Sequence, residues 1–159
     1  MKSNHIIKTL FFFFLAFEIC FAGNIELESD NIKIFEEGNI IHAFNGKAFD
    51  IKKKLEIKGE KSIYNKFSSQ LTIIKNVKFL DITKNVVIES EKAVYYEKSN
   101  IVQTYGETFI KIDNKYEITS KDILYDRNNF EIKSYKDTTV KDNTLNVLNF
   151  EDGFRFEID

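Results

Sequence analysis

The chain has 159 residues, enough for one domain around a single core and not comfortably enough for two. Its 23 Lys and Arg stand against 25 Asp and Glu, a balance that gives no basis for nucleic acid as a partner. Apolar residues at 43% and aromatics at 14% exclude a disordered chain. With no proline and six glycines, the turns fall to Asn, Asp, Ser and Lys.

Residues 1–22 read as a secretory leader. Lys2, His5 and Lys8 precede the apolar run Leu10 to Phe17, and Cys20-Phe21-Ala22 offers small residues at the two positions a signal peptidase reads. The run is about half the length a membrane-spanning helix needs. Cleavage is expected after Ala22, since Phe17-Glu18-Ile19 lacks the small residues that lipoprotein processing at Cys20 requires. The mature chain, residues 23–159, then has no cysteine, so neither a disulfide nor a thiolate metal site is expected.

A repeat follows. Leu27-Glu28-Ser29-Asp30-Asn31-Ile32-Lys33-Ile34 aligns with Ile57 to Tyr64, with Ile88-Glu89-Ser90-Glu91-Lys92-Ala93-Val94-Tyr95, and with Ile118-Thr119-Ser120-Lys121-Asp122-Ile123-Leu124-Tyr125. The starts lie 30, 31 and 30 residues apart, and a worn fifth copy begins at Leu148 with Phe150, Phe154 and Phe156. Phe49, Phe79 and Phe109 fall 30 apart, as do Gly46, Asn76 and Gly106. Inside each unit the pattern is that of strands: Ile25 and Leu27 alternate with Glu26 and Glu28, and Leu71, Ile73, Val77 and Phe79 share one parity. Past the small residue the parity shifts, from Leu27 to Ile32 and Ile34, which requires a bulge or bend. Segments 65–69, 98–100 and 127–129 are expected to close hairpins. Each unit thus predicts two bent strands with one apolar face, and stacked units merge those faces into a trough about ten ångströms between sheets with open strand edges at both ends.

These motifs resemble the OstA-like domain of lipopolysaccharide export. The residues that carry the match are Ser90 to Tyr95, Ser120 to Tyr125, Ser29-Asp30-Asn31-Ile32 with Gly38-Asn39, and Lys75-Asn76-Val77. Ser62 stands where the family favours Ala, and only the third copy carries the fuller pattern. The family includes the periplasmic bridge protein LptA, the membrane-anchored LptC and the N-terminal domain of the outer-membrane protein LptD. The resemblance implies an all-β, open β-jellyroll (β-taco) whose interior receives acyl chains. It also implies periplasmic localisation and head-to-tail edge pairing with other Lpt components. The ending at Phe154-Arg155-Phe156-Glu157-Ile158-Asp159, within a strand, leans towards the front of an LptD-like chain over a complete LptA-like bridge.

The expected lipid-binding groove comprises Leu27, Ile32, Ile34, Phe49, Ile57, Tyr64, Ile73, Phe79, Ile88, Tyr95, Phe109, Ile118 and Tyr125. Apolar residues of a β-repeat are ordinarily core, and the two readings differ only in whether the sheets close. His42 has no second histidine or cysteine nearby and reads as a solvent-facing strand residue. Glu89 and Glu91, or Asp50 and Asp81, could form a carboxylate pair, but outward or corner positions make them solvated charges. Lys52-Lys53-Lys54 reads as a hairpin end, with proximity to anionic headgroups as the functional alternative. No serine has a paired base and no Gly-rich phosphate loop is present, so no enzyme, cofactor or nucleotide coupling is expected. The rivals are a small outer-membrane β-barrel, which needs about nine to eleven alternating residues per strand, and a structural β-solenoid or adhesin filled by its own side chains.

Overall fold

A computed structural model describes residues 20–22 and 24–158. Apart from Cys20–Ala22, the expected leader lies outside the described residues. The strands are β1 (Cys20–Ala22), β2 (Ile25–Phe35), β3 (Ile40–Asp50), β4 (Leu55–Asn65), β5 (Gln70–Asp81), β6 (Val86–Tyr96), β7 (Ile101–Ile112), β8 (Tyr116–Lys121), β9 (Leu124–Asp126), β10 (Glu131–Ser134), β11 (Thr138–Asp142), β12 (Val147–Phe150) and β13 (Phe154–Glu157). All pairings are antiparallel. The path runs β1 to β8, then β11 and β12, while β9 joins β7 to β10 and β10 joins β13. The last six strands are therefore three long strands broken at their corners, and the described chain is a meander of nine bent strands preceded by β1.

Strand starts at Ile25, Ile40, Leu55, Gln70, Val86, Ile101, Tyr116, Glu131 and Val147 advance by 15 or 16 residues. Two such steps make the thirty-residue repeat. Each turn between the long strands carries a residue in the left-handed region at or next to its end: Gly38, Lys54, Ser69, Asn85, Asn100, Asn114, Phe130 and Leu145. Asx side chains hold these turns in place of proline. Asp50 Oδ1 accepts from Lys53 N at 3.1 Å, Asp81 Oδ1 from Thr83 N at 3.0 Å, and Asp126 Oδ1 from Asn128 N at 2.9 Å.

The parity shift has a geometric counterpart at the corner. The inward residues flanking it lie five apart on β3 (Ala43, Ala48), β4 (Ile57, Ser62) and β6 (Ile88, Ala93). They lie four apart on β5 (Ile73, Val77) and β7 (Thr104, Thr108). Five against five pairs without a break, so β3 and β4 stay in register. Five against four leaves one residue over, and the register shifts at Lys58/Lys61, Ile74/Val77 and Ser90/Lys92. Left-handed residues turn the chain there: Asn45, Lys75, Asn76, Gly106 and Asp122.

Corner hydroxyls mend the ladder where the bend opens it. Ser29 Oγ accepts from Phe44 N at 2.9 Å, and Thr104 Oγ1 accepts from Ile123 N at 2.9 Å. Ser120 Oγ meets Ser134 Oγ at 2.9 Å and Thr138 Oγ1 at 2.8 Å. This gives the repeated small residue its physical reason. The outer face carries cross-strand ion pairs such as Lys78–Glu89 at 2.9 Å and Lys121–Glu107 at 2.9 Å.

Gly46 and Gly106 fill different needs at the corner. A Cβ on Gly46 collides with the carbonyl oxygen of Glu28 and lies 2.7 Å from Ser29 Cβ, whereas Gly106 has a φ of +82° with open space where its Cβ would be. Gly46→Ala is therefore expected to lower the melting temperature by several degrees. Gly106→Asn, which tolerates the left-handed region, should leave it within about 2 °C. Calorimetry on both variants checks the pair.

Candidate functional site

The apolar face is organised as rows that cross the sheet. One row runs through paired residues Leu27, Ala48, Ile57, Phe79, Ile88, Ile110, Ile118, Val140 and Leu148. On the other side of the corner a second row runs Ile34, Ile41, Tyr64, Leu71, Tyr95, Val102, Tyr125, Ile132 and Phe156. A third, shorter row of Ile32, Ala43, Ser62, Ile73, Ala93 and Thr104 follows the bend. Eleven of the thirteen expected groove residues stand in these rows. Two do not.

Phe49 and Phe109 are on the outer face. Each alternates with buried neighbours, Ala48 and Asp50 in one case and Thr108 and Ile110 in the other. Phe49 lies between Glu26 and Glu56 across the ladder, and Phe109 between Glu89 and Thr119. The reason is register. The true equivalents are Ala48, Phe79 and Ile110, spaced 31 apart, and a one-residue slip moves a side chain to the opposite face.

The sheet is open, as the sequence predicts, since among the described residues β12 and β13 pair with neither β1 nor β2, but the trough between its layers is not empty. Ile57, Ile73, Phe79, Ile88, Tyr95, Ile118 and Tyr125 are fully buried, so the middle of the trough is filled by its own side chains. Its ends differ. Ile34 on the free half of β2 is 58% exposed and Leu148 on β12 is 60% exposed, with Ile32 half-buried. The groove expected from the sequence is thus a core filled in its middle within an open sheet, with exposed apolar residues at both ends.

A further correction is Asp50 and Asp81, expected on the surface and found buried. They sit at the mouth, where the two layers meet opposite the corner, with the phenols of the second row reaching across to them. Tyr125 OH donates to Asp81 Oδ2 at 2.9 Å and Tyr95 OH to Asp50 Oδ2 at 3.2 Å; Tyr64 OH donates within its own layer to Glu97 Oε2 at 2.7 Å, and Asn24 Nδ2 reaches Glu97 Oε1 across the mouth at 2.8 Å. Two cations complete the arrangement. Arg127 donates from Nε to Asp81 at 2.7 Å, from Nη1 to Asn100 Oδ1 at 2.8 Å and from Nη2 to the Lys53 carbonyl at 3.0 Å. Lys53, the middle lysine of the hairpin end, donates to Tyr95 OH at 2.9 Å and to the Glu97 carbonyl at 2.6 Å. We refer to this set as the clasp.

The clasp stops short of one end. Its next rung would pair Ile112 with Phe156, which have nothing to exchange. There a cleft of about 550 Å³ separates the layers, lined by Ile112, Tyr116, Phe156 and Ile158 with Lys84 and Lys115 at its rim. Tyr116 and Phe156 meet edge to face at 5.2 Å inside it.

Burial, then the nearby carboxylates, raises the pKa of Tyr64, Tyr95 and Tyr125 well above that of a free phenol. Burial is the largest influence on Arg127 and works against its charge, but the hydrogen bond to Asp81, the charge of Asp81 and the nearby Tyr125 and Tyr95 together outweigh it and hold Arg127 above its ordinary value. His42 lies on the outer face against Phe35, with ring centroids 4.8 Å apart, and burial followed by Lys61 and Lys33 lowers its pKa. Among the described residues no group of three His, Cys, Asp or Glu is placed to hold a metal ion. Sequence reasoning missed the clasp. The signal available was the 31-residue interval of Asp50 and Asp81 matching that of Tyr64 and Tyr95.

No family model matches the chain, and no curated protein matches it in sequence. Among solved structures it is similar to LptH from Pseudomonas aeruginosa, described as the LptA-homologous periplasmic component of the lipopolysaccharide transport device. The TM-score is 0.57 at 10% identity, over 64% of this chain and 75% of that one. The fold is therefore the LptA-type β-jellyroll.

Two measurements probe the clasp. Asp81→Ala leaves a buried guanidinium without its anion and should cost about 3–5 kcal/mol in urea unfolding. The phenols have folded pKa values above the unfolded value near 10, so their contribution is complete below pH 10 and is lost as pH rises beyond it. The urea midpoint should accordingly fall above about pH 10, and absorbance at 295 nm should show Tyr64, Tyr95 and Tyr125 ionising only as the chain unfolds.

Proposed function

We propose that this chain takes part in lipopolysaccharide transport across the periplasm, shielding acyl chains between its two layers as an LptA-like bridge or as the N-terminal domain of an LptD-like chain. The observation that carries the reading is the first inward row, nine residues long and apolar throughout, running from Leu27 to an exposed Leu148. At about 4.8 Å per strand, nine strands make a lining on the order of 40 Å long. Hydrocarbon in water costs about 0.8 kcal/mol per methylene, so one twelve-carbon chain left unshielded costs on the order of 10 kcal/mol. Transfer from water into such a lining removes most of that penalty. Successive units are alike, so no single step traps the cargo.

The ends suit passage between molecules. Among the described residues, the half of β2 from Asn31 to Phe35 pairs only with β3, and at the other end β12 and β13 each pair with one strand. Free edges of opposite ends can complete each other's ladders and join the apolar rows of two molecules into one. The polarity of the faces argues against an outer-membrane barrel. Glu26, Lys58, Lys78, Glu89 and Lys111 occupy the outer face, and a barrel would turn apolar residues to the lipid there.

One observation favours a second reading, a structural β-solenoid without a guest: the interior of β3 to β7 is filled. Photo-crosslinking separates the two. With a photoreactive residue at Phe79 in Gram-negative cells, lipopolysaccharide adducts are expected, whereas at the outward Phe49 none should form. Ile88→Asp should abolish the adducts from Phe79. A folded protein giving no adduct from any inward position would favour the solenoid.

A further inference from the structure

We propose that the clasp is a gate: a zipper of three rungs that holds the mouth of the jellyroll shut and opens from the cleft beside Ile112 and Phe156 to admit acyl chains. This inference rests on the carrier reading and specifies how its site is regulated. Phe79, Ile88, Tyr95 and Tyr125 have no solvent-accessible surface, so a guest enters the middle of the core only if the layers part. Opposite the corner the layers are joined through side chains: by Tyr125, Tyr95, Arg127 and Lys53 of the clasp, by Asn24 donating to Glu97 at 2.8 Å, and by Lys84 over the Phe130 ring. Parting the layers means breaking these contacts. The corner, by contrast, is continuous backbone and can act as the hinge.

The rungs are ordered along the mouth. Tyr125, Asp81 and Arg127 stand nearest the cleft, Tyr95, Asp50 and Lys53 come next, and Glu97, reached across the mouth by Asn24 and steadied within its own layer by Tyr64, is farthest. A chain end entering the cleft meets Ile112, Tyr116 and Phe156 first, then the Tyr125 rung. Arg127 also holds the carbonyl of Lys53, so release of the first rung loosens the second. Opening therefore proceeds from the unclasped end towards β3. Binding energy from the apolar rows is what compensates the broken polar contacts.

The test follows uptake of cis-parinaric acid by stopped-flow fluorescence in the full chain, with its melting curve recorded alongside. Asp81→Leu with Arg127→Met removes the first rung without leaving a buried charge unpaired, and should raise the uptake rate about tenfold. Asn24→Ala, which removes the far contact across the mouth, should change it less than twofold, since that rung opens last. If the double variant does not fold, Tyr125→Phe removes one of the two bonds that Asp81 makes in the first rung and should raise the rate by a smaller factor, about threefold. Equal rates in the wild type and the first-rung variants would overturn the gate while leaving the carrier reading intact. Equal acceleration by the near and far variants would overturn the order of opening. Uptake by none of the proteins would overturn the carrier reading and the gate together.

Discussion

Everything in this molecule depends on keeping one side of each strand apolar through a corner. A flat strand places residues five apart on opposite faces. Here Ile57 and Ser62, or Ile88 and Ala93, are both inward because the bend absorbs the odd residue. Once that holds, antiparallel pairing carries the inward positions from strand to strand as rows. The rows make the core, set the spacing of the repeat and fix where the two layers touch. Small and hydroxyl-bearing residues recur at the corner because only they fit the bend and repair its hydrogen bonds.

A core made this way has an unusual balance. Its interior is well packed in the middle, as in any small β protein, yet it runs out to exposed apolar side chains at both ends, where strand edges are also free. Across the mouth, the layers meet through buried charges and phenols instead of more hydrocarbon. A buried ion pair is weak as a source of stability and strong as a specifier of one arrangement over others. Placed where a guest must pass, it distinguishes a closed state from an open one. An apolar seam at the same place would favour closure without offering two discrete states.

Much of the fold was legible in the sequence because the repeat reports it directly. Leu27, Ile57, Ile88 and Ile118 align by eye and occupy one row, and Tyr64, Tyr95 and Tyr125 another. What failed was any inference needing register to the single residue. Phe49 and Phe109 were matched to Phe79 at 30 residues when the structural interval is 31, and alternation turned that slip into the wrong face. Asp50 and Asp81 were misplaced because a charge at a strand end ordinarily faces water. Their burial depends on Arg127, 46 residues beyond Asp81, and on Tyr95, 45 beyond Asp50. Such long-range partners leave no local trace, and neither does the closure of the layers.

In the proposed carrier, acyl chains occupy the space between the two layers. Paramagnetic broadening of isoleucine methyl resonances by a spin-labelled fatty acid addresses it most directly. If the account is right, Ile57, Ile73, Ile88 and Ile118 in the interior rows broaden while the exposed Ile51 and Ile82 do not. Broadening confined to Ile51 and Ile82, with the interior methyls sharp at saturating lipid, would contradict it.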